Sequence, residues 1–261
     1  MGARRVVTMA TILVGLTLQG CGGGGGGDHR KPTIFEGIAT EIPEVLAEFQ
    51  TRLGDDNGGV PEQSLVGRRE INWDDVPDQN AAPGFLDPDF YNTRTAPFAR
   101  GIDLRTPGQG VEVSADTNNP TATPVRFGNI NGTYVDEFTT FSPERLFSPI
   151  GSNILDVTFF VAGHPDVPAL TRGFGAIFSD VDFTKVTSIE VLAENDTSLG
   201  SFFVEPNDHG LSFLGVLFDN PVIKHVRITY GNEPLGETDG GDVDVVVTDD
   251  FIYGEPQPQD D

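Results

Sequence analysis

The sequence predicts an all-β domain, an antiparallel β-sandwich or jelly roll with one short N-terminal helix. Ten short runs rich in β-branched and aromatic residues lead to it: Glu70–Val76, Val111–Ser114, Val125–Ile130, Ile154–Val161, Gly173–Phe178, Thr187–Leu192, Leu199–Val204, Leu211–Phe218, Val222–Tyr230 and Val243–Tyr253. Gly, Pro, Asn and Asp punctuate them, as turns between antiparallel strands require. No alternation of strand, long helix and strand competes with that spacing, which sets aside a parallel α/β sheet.

Local chemistry places each element. Pro43 to Leu53 sets Val45, Leu46, Phe49 and Leu53 at helical spacing, with Pro43 suited to the first turn and Gly54 to the stop. Asp55 to Gly59 then reads as a loop, and Tyr91 to Asn119, rich in Pro, Gly and Thr, as long loops over the sheets. Glu194 to Thr197 reads as a hairpin turn. In Val222–Tyr230, Val222, Val226, Ile228 and Tyr230 share one parity and Ile223, His225, Arg227 and Thr229 the other, so one face is apolar and the other mostly wet. Phe202, Phe203, Phe213 and Phe218 lie within apolar runs and are assigned to the core.

At about 100–200 residues per domain, 261 residues hold one large domain or two small ones, and no second boundary follows about residue 65. The expected division is a signal over 1–20, a tether over 21–32, a helix-and-loop lead-in over 33–65, the sandwich over 66–256 and an acidic tail over 257–261. With 16 Lys+Arg against 40 Asp+Glu, a net charge of −24 and a pI near 4.2, the chain is unsuited to nucleic acid or to anionic lipid through charge. Cations are the expected small partners. A single cysteine excludes a disulfide scaffold.

Arg4 and Arg5 precede Val6 to Leu18, in which only Thr8, Thr11 and Thr17 are polar. This is the charged and apolar pattern of a secretory signal, too short to remain as a bilayer-spanning helix. It ends in Leu18-Gln19-Gly20-Cys21, which resembles the bacterial lipobox. The resemblance implies cleavage before Cys21, acylation of its thiol, and an exported lipoprotein held on a membrane at the cell envelope or surface. Gly22 to Gly27 read as a flexible tether beyond the lipid.

Two acidic segments carry the candidate chemistry. As a strand, Glu70–Val76 would put Glu70, Asn72 and Asp74 on one face and Ile71, Trp73 and Asp75 on the other. Trp73, the one tryptophan, is the candidate platform for a sugar ring. Glu237, Asp239, Asp242, Asp244, Asp249 and Asp250 crowd around Gly240 and Gly241, and oxygen-rich glycine turns suit Ca²⁺ as a structural ion. One of Asp249 and Asp250 is expected to point inward, where it needs a metal or backbone N–H groups. His29, His164, His209 and His225 share no zinc-ligand spacing, and no G-x-S-x-G elbow occurs.

Three resemblances follow from these residues. Gly67 to Pro77, Phe141 to Phe147, Arg172 to Asp182, Leu211 to Val216 and Asp249 to Glu255 together resemble an uncharacterised family of secreted bacterial β-sandwich proteins, which implies the fold and no activity. The last strand is similar to the closing strand of jelly-roll carbohydrate-binding modules. That likeness implies a glycan ligand and a structural Ca²⁺ on Asp249 or Asp250, with Asp74 or Asp75 as neighbours. Glu70-Ile71-Asn72-Trp73-Asp74 is similar to the Glu-x-Asp-x-x-Glu strand of laminarinase-type glycoside hydrolases, implying Glu70 and Asp74 as a catalytic pair in an alternative reading. Here Asn72 replaces the central Asp, and the second acid is Asp. Retaining hydrolysis also needs carboxylates about 5–5.5 Å apart, less than i and i+4 on a regular strand provide.

Overall fold

A computed structural model of the chain describes residues 31–259; Cys21, the signal and most of the tether lie outside them. The chain runs β1 Thr33–Ile38, α1 Ile42–Leu53, β2 Arg68–Ile71, β3 Ile102–Arg105, β4 Gly110–Val113, α2 Tyr134–Glu137, β5 Phe147–Ile150, β6 Ile154–Val161, β7 His164–Leu170, β8 Gly173–Val181, β9 Ser188–Leu192, β10 Ser198–Phe203, β11 Asn207–Leu217, β12 His225–Thr229, β13 Val247–Gly254 and β14 Gln257–Pro258. Short 3-10 turns cover Ala39–Glu41, Trp73–Asp75 and Asp78–Asn80.

Two antiparallel sheets of seven strands result. The first is ordered β1-β11-β8-β13-β5-β4, and the second β10-β9-β12-β6-β7-β14. β13 is interior: it pairs with β8 along one edge, and along the other with β2 (Phe251 opposite Ile71) and β5 (Thr248 opposite Phe147). In the second sheet β3 pairs with β6.

Alternation explains the second sheet. β6 buries every second residue (Leu155, Val157, Phe159, Val161), and β12 buries Val226 and Ile228 while Arg227 faces solvent. The first sheet is apolar on both faces, because β8 (Gly-Phe-Gly-Ala-Ile-Phe-Ser-Asp-Val) is buried throughout. One face joins the core between the sheets. The other receives α1, whose Ile42, Leu46, Phe49 and Leu53 pack on Ile177, Phe213, Leu217 and Ile252.

Glycine makes that docking close. Gly175 of β8 lies opposite Gly215 of β11, and the Phe49 ring sits over both. A Cβ on Gly175 would stand 2.9 Å from Phe49 Cε1, closer than carbon atoms approach.

Several expectations need correction. The run Glu70–Val76 is a strand only to Ile71; Asn72 then accepts the Asp74 N–H (2.9 Å) and caps a 3-10 turn, so Glu70, Asn72 and Asp74 do not share a strand face. Val125–Ile130 forms turns, with Arg126 and Phe127 at φ 50° and 60°, and Phe127 still fills a buried cluster with Tyr134, Phe138 and Leu146. Residues 33–38, expected as lead-in, are the edge strand β1 on β11. The stretch 91–119 contains β3 and β4, and β14 continues past residue 256 to pair with β7. Phe203 is exposed, whereas Phe213 and Phe218 are buried.

Candidate functional site

The antiparallel pairing of β2 and β13 brings the segment after Ile71 beside the segment before Phe251. Asp74 therefore meets Asp249 and Asp250, and the three carboxylates surround one hydroxyl. Ser142 Oγ lies 3.1 Å from Asp74 Oδ2, 3.0 Å from Asp249 Oδ1 and 3.1 Å from Asp250 Oδ1. Backbone N–H groups complete the cluster: Phe141 donates to Asp249 Oδ2 (2.6 Å), Asp250 to Asp249 Oδ1 (2.9 Å), and Glu144 and Arg145 donate to Asp74 Oδ1.

The single hydroxyl proton serves one carboxylate at a time, so the three acids compete for one donor. Burial, then the charge of Asp249, pushes the Asp250 carboxyl up to about 8. Burial also raises Asp249, against the opposing pull of the Phe141 N–H. Asp249 is the inward residue, fully buried, and its need is met by N–H and O–H donors. Asp75 is apart from this group, with its side chain 64% exposed and 3.7 Å from Arg100.

The other expected site residues separate. Trp73 is fully buried: it stacks on Phe147 (4.2 Å between centroids), meets Phe251 edge-on, and donates Nε1–H to the Asp249 carbonyl at 2.7 Å. Its ring faces are covered by protein, which corrects the platform expectation. Glu70 Oε1 accepts from Arg68 Nε at 2.5 Å and from Gln50 Nε2 at 2.8 Å, while Asp74 turns to Ser142 and the backbone of residues 144 and 145. The two acids of the hydrolase reading thus have separate environments.

Asp74 also borders an open cleft of about 640 Å³. Asp75, Asp78 and Gln79 line it with Asp116 and Thr121, and Arg145 lies at its base. The Arg145 guanidinium, 2% exposed, reaches Asp78 Oδ1 (2.5 Å) and Asp116 Oδ2 (2.8 Å). The guanidinium is engaged by these two carboxylates and by the Ser114 carbonyl (3.1 Å), so it fixes the acids that line the cleft.

A second acidic cluster forms where β8 ends. The register of β11 against β8 shifts between Asn207 and Leu211, and this bulge carries Asp208 and His209 toward Asp180 and Asp182. Asp180 and His209 adopt left-handed backbone at φ 69° and 53°, a region Asp and His tolerate better than most residues. Asp239 and Asp244 enter from the glycine turn, and Glu137 from α2. Gly231 permits the approach of that turn, since a Cβ there would lie 2.0 Å from the Asp244 carbonyl oxygen. Burial raises Asp180 to about 7 and Asp182 and Asp244 to about 6, with neighbouring carboxylates adding to each. Sequence reasoning singled out Asp239 and Asp244 within the acidic stretch and missed Glu137, Asp180, Asp182, Asp208 and His209. The one local signal was the pair of acids closing the apolar run Gly173–Val181.

Among the described residues, no helix is long and apolar enough to cross a membrane. No family model matches the chain, and no curated protein matches it. The enzymatically active domain of tailspike protein 4 from bacteriophage CBA120 aligns over 69% of this chain and 21% of its own, at 9% identity and a TM-score of 0.23. The chain spans about a fifth of that protein's length, and a likeness of this size carries no argument.

Proposed function

We propose that the chain is an exported lipoprotein of the cell envelope, anchored through Cys21, whose body is a non-catalytic β-sandwich with a binding or structural role. Glycan is the ligand class of the binding role, and Ca²⁺ enters as a structural ion. The observation that carries the non-catalytic part is Glu70, whose carboxylate is engaged by Arg68 and Gln50 rather than facing a second acid. The anchoring part rests on Arg4, Arg5, the apolar run and Cys21. The cleft over Arg145 supports glycan, because vicinal hydroxyls match the carboxylates of Asp75, Asp78 and Asp116 and the side-chain amide of Gln79 that line it.

Metabolic labelling with a fatty-acid probe in a bacterial host tests the anchor: label is expected on the wild type and lost in Cys21→Ser. A glycan array tests the ligand, with hits expected to weaken in Asp75→Ala and Gln79→Ala, which line the cleft. A blank array on folded protein removes glycan and leaves the structural role. Glycosidase turnover abolished by Glu70→Gln would overturn the non-catalytic reading.

A further inference from the structure

We propose that the cleft at the end of β8 binds Ca²⁺ through Asp180, Asp182, Asp208, Asp239 and Asp244, with Asp182 shared between two groups of ligands. This deepens the calcium part of the reading above and depends on neither the lipid anchor nor a glycan. It also places the ion away from Asp74, Asp249 and Asp250.

Geometry is the first support. In the triads Asp180–Asp182–Asp208 and Asp182–Asp239–Asp244, one carboxylate oxygen from each residue lies within 4.8 Å of the others. Oxygens coordinating Ca²⁺ at about 2.3–2.6 Å stand no more than about 5 Å apart, so each triad has the span of a single ion's shell.

The second support is independent of clustering. Asp180 and Asp244 are fully buried, and each directs one oxygen, Oδ2, to no donor among the described residues; Asp182 Oδ1 is likewise buried and without a donor. A buried carboxylate oxygen of this kind is destabilising unless something positive meets it. No Lys or Arg lines the cleft, whose lining is Glu137, Asp182, Phe183, Asp208, His209, Asp239, Gly240 and Gly241. His209 stands at the rim, 60% exposed, with Nδ1 3.0 Å from Glu137.

The Ser142 cluster shows the contrast. There no buried carboxylate oxygen lacks a donor; at the end of β8 the Oδ1 atoms of Asp180 and Asp244 accept the N–H groups of His209 and Asp182, while Oδ2 of each and Oδ1 of Asp182 meet no donor among the described residues. An all-carboxylate donor set selects hard cations. Carboxylates that bind through one or two oxygens, and an open cleft of about 440 Å³ with room for water, suit the six to eight ligands of Ca²⁺ better than the strict octahedron of Mg²⁺.

The test uses the full chain in detergent, stripped with EDTA and exchanged into metal-free buffer. Titration with CaCl₂ is followed by calorimetry and by Tm. Saturable binding is expected, with a Tm rise of roughly 5–10 °C at a hundredfold excess over Kd and a much smaller rise with MgCl₂. Asp182→Asn and Asp244→Asn should melt higher than wild type in EDTA, because repulsion is relieved, and lose at least about tenfold in Ca²⁺ affinity. The higher melting point shows that the variants fold. Asp250→Asn should keep the Ca²⁺ response. Wild type with no heat and no Tm shift at about 10 mM Ca²⁺, well above the range of weak extracellular sites, overturns the proposal. So does undiminished binding by Asp182→Asn, a response lost only in Asp250→Asn, or a response to Zn²⁺ and not to Ca²⁺. Fatty-acid labelling and the glycan array are separate measurements, so failure there leaves the calcium result standing, and the reverse.

Discussion

Arg69 and Glu255 form a bidentate ion pair inside the protein, with Nε and Nη2 at 2.7 and 2.8 Å from the two carboxylate oxygens and side-chain exposures of 0% and 1%. The remaining guanidinium N–H groups donate to the carbonyls of Gly58, Val60, Glu62 and Ala99. One side chain thus fastens the loop over residues 58–62 and the backbone at Ala99 to the end of the first sheet. A planar fork with every donor engaged is a role lysine cannot fill.

Arg69→Ala is expected to lose about 3–5 kcal/mol, since it strands Glu255 in the interior, and Arg69→Lys to lose most of that. Urea denaturation measures both. A lysine variant with the wild-type midpoint would contradict the bidentate account.

Trp73→Ala is expected to lose about 3–5 kcal/mol, because it removes a core side chain stacked on Phe147. Trp73→Phe should lose less, mainly the bond from Nε1 to the Asp249 carbonyl. Thermal melts order the three proteins. An alanine variant of unchanged stability that lost glycan binding would restore Trp73 as a sugar platform.

Gly175→Ala is expected to destabilise by about 1–3 kcal/mol, since its Cβ meets Phe49 Cε1 at 2.9 Å and Phe213 Cζ at 3.0 Å. The effect should shrink in a Phe49→Leu background, where the ring edge is absent. A double-mutant cycle reads that coupling, and additive effects would show that the glycine serves something other than helix docking.

Glu112 on β4 is buried, and Oε1 meets no donor among the described residues; burial lifts its carboxyl from 4.5 to about 7. Between those values the folded state holds a proton that the unfolded state has released. This group's contribution to stability therefore falls as pH rises through that window and is lowest above it. Glu112→Gln is expected to be more stable than wild type by roughly 2 kcal/mol at about pH 8, and to have no advantage near pH 4.5. Denaturation across pH in EDTA checks it, and an advantage that did not grow with pH would refute it.

Strongly periodic segments were readable from the chain. Ile154–Val161 alternates cleanly and is β6 at both ends, and Pro43 with Gly54 bracket a helix that runs Ile42–Leu53. The edge strands β4 and β10 were readable too, as Val111–Ser114 and Leu199–Val204, whereas β1, β3, β5, β7 and β14 were not. β7 carries Pro165 and Pro168 and β5 carries Pro149, residues that argue locally against pairing, yet each strand pairs on both sides, β7 with β6 and β14 and β5 with β13 and β4. At the candidate sites, Asp74, Asp249 and Asp250 are joined by strand pairing; the likeness to carbohydrate-binding modules set Asp74 or Asp75 beside Asp249 or Asp250, without the serine that lies among the three acids. The cleft at the end of β8 draws on residues 137, 180–182, 208 and 239–244. The bulge in β11 brings in residue 208 and the close pass at Gly231 the turn over 239–244, and neither leaves a local spacing to read.

The interior position of β13, flanked by β8 on one edge and by β2 and β5 on the other, bears on the order of assembly. Synthesis proceeds toward the C-terminus, so a nascent polypeptide that has not reached Val247 holds two halves of a layer with inward edges unpaired. Closure of the first sheet therefore requires Val247–Gly254. Without β13, the half made of β1, β11 and β8 has no strand joining it to β2, β5 and β4.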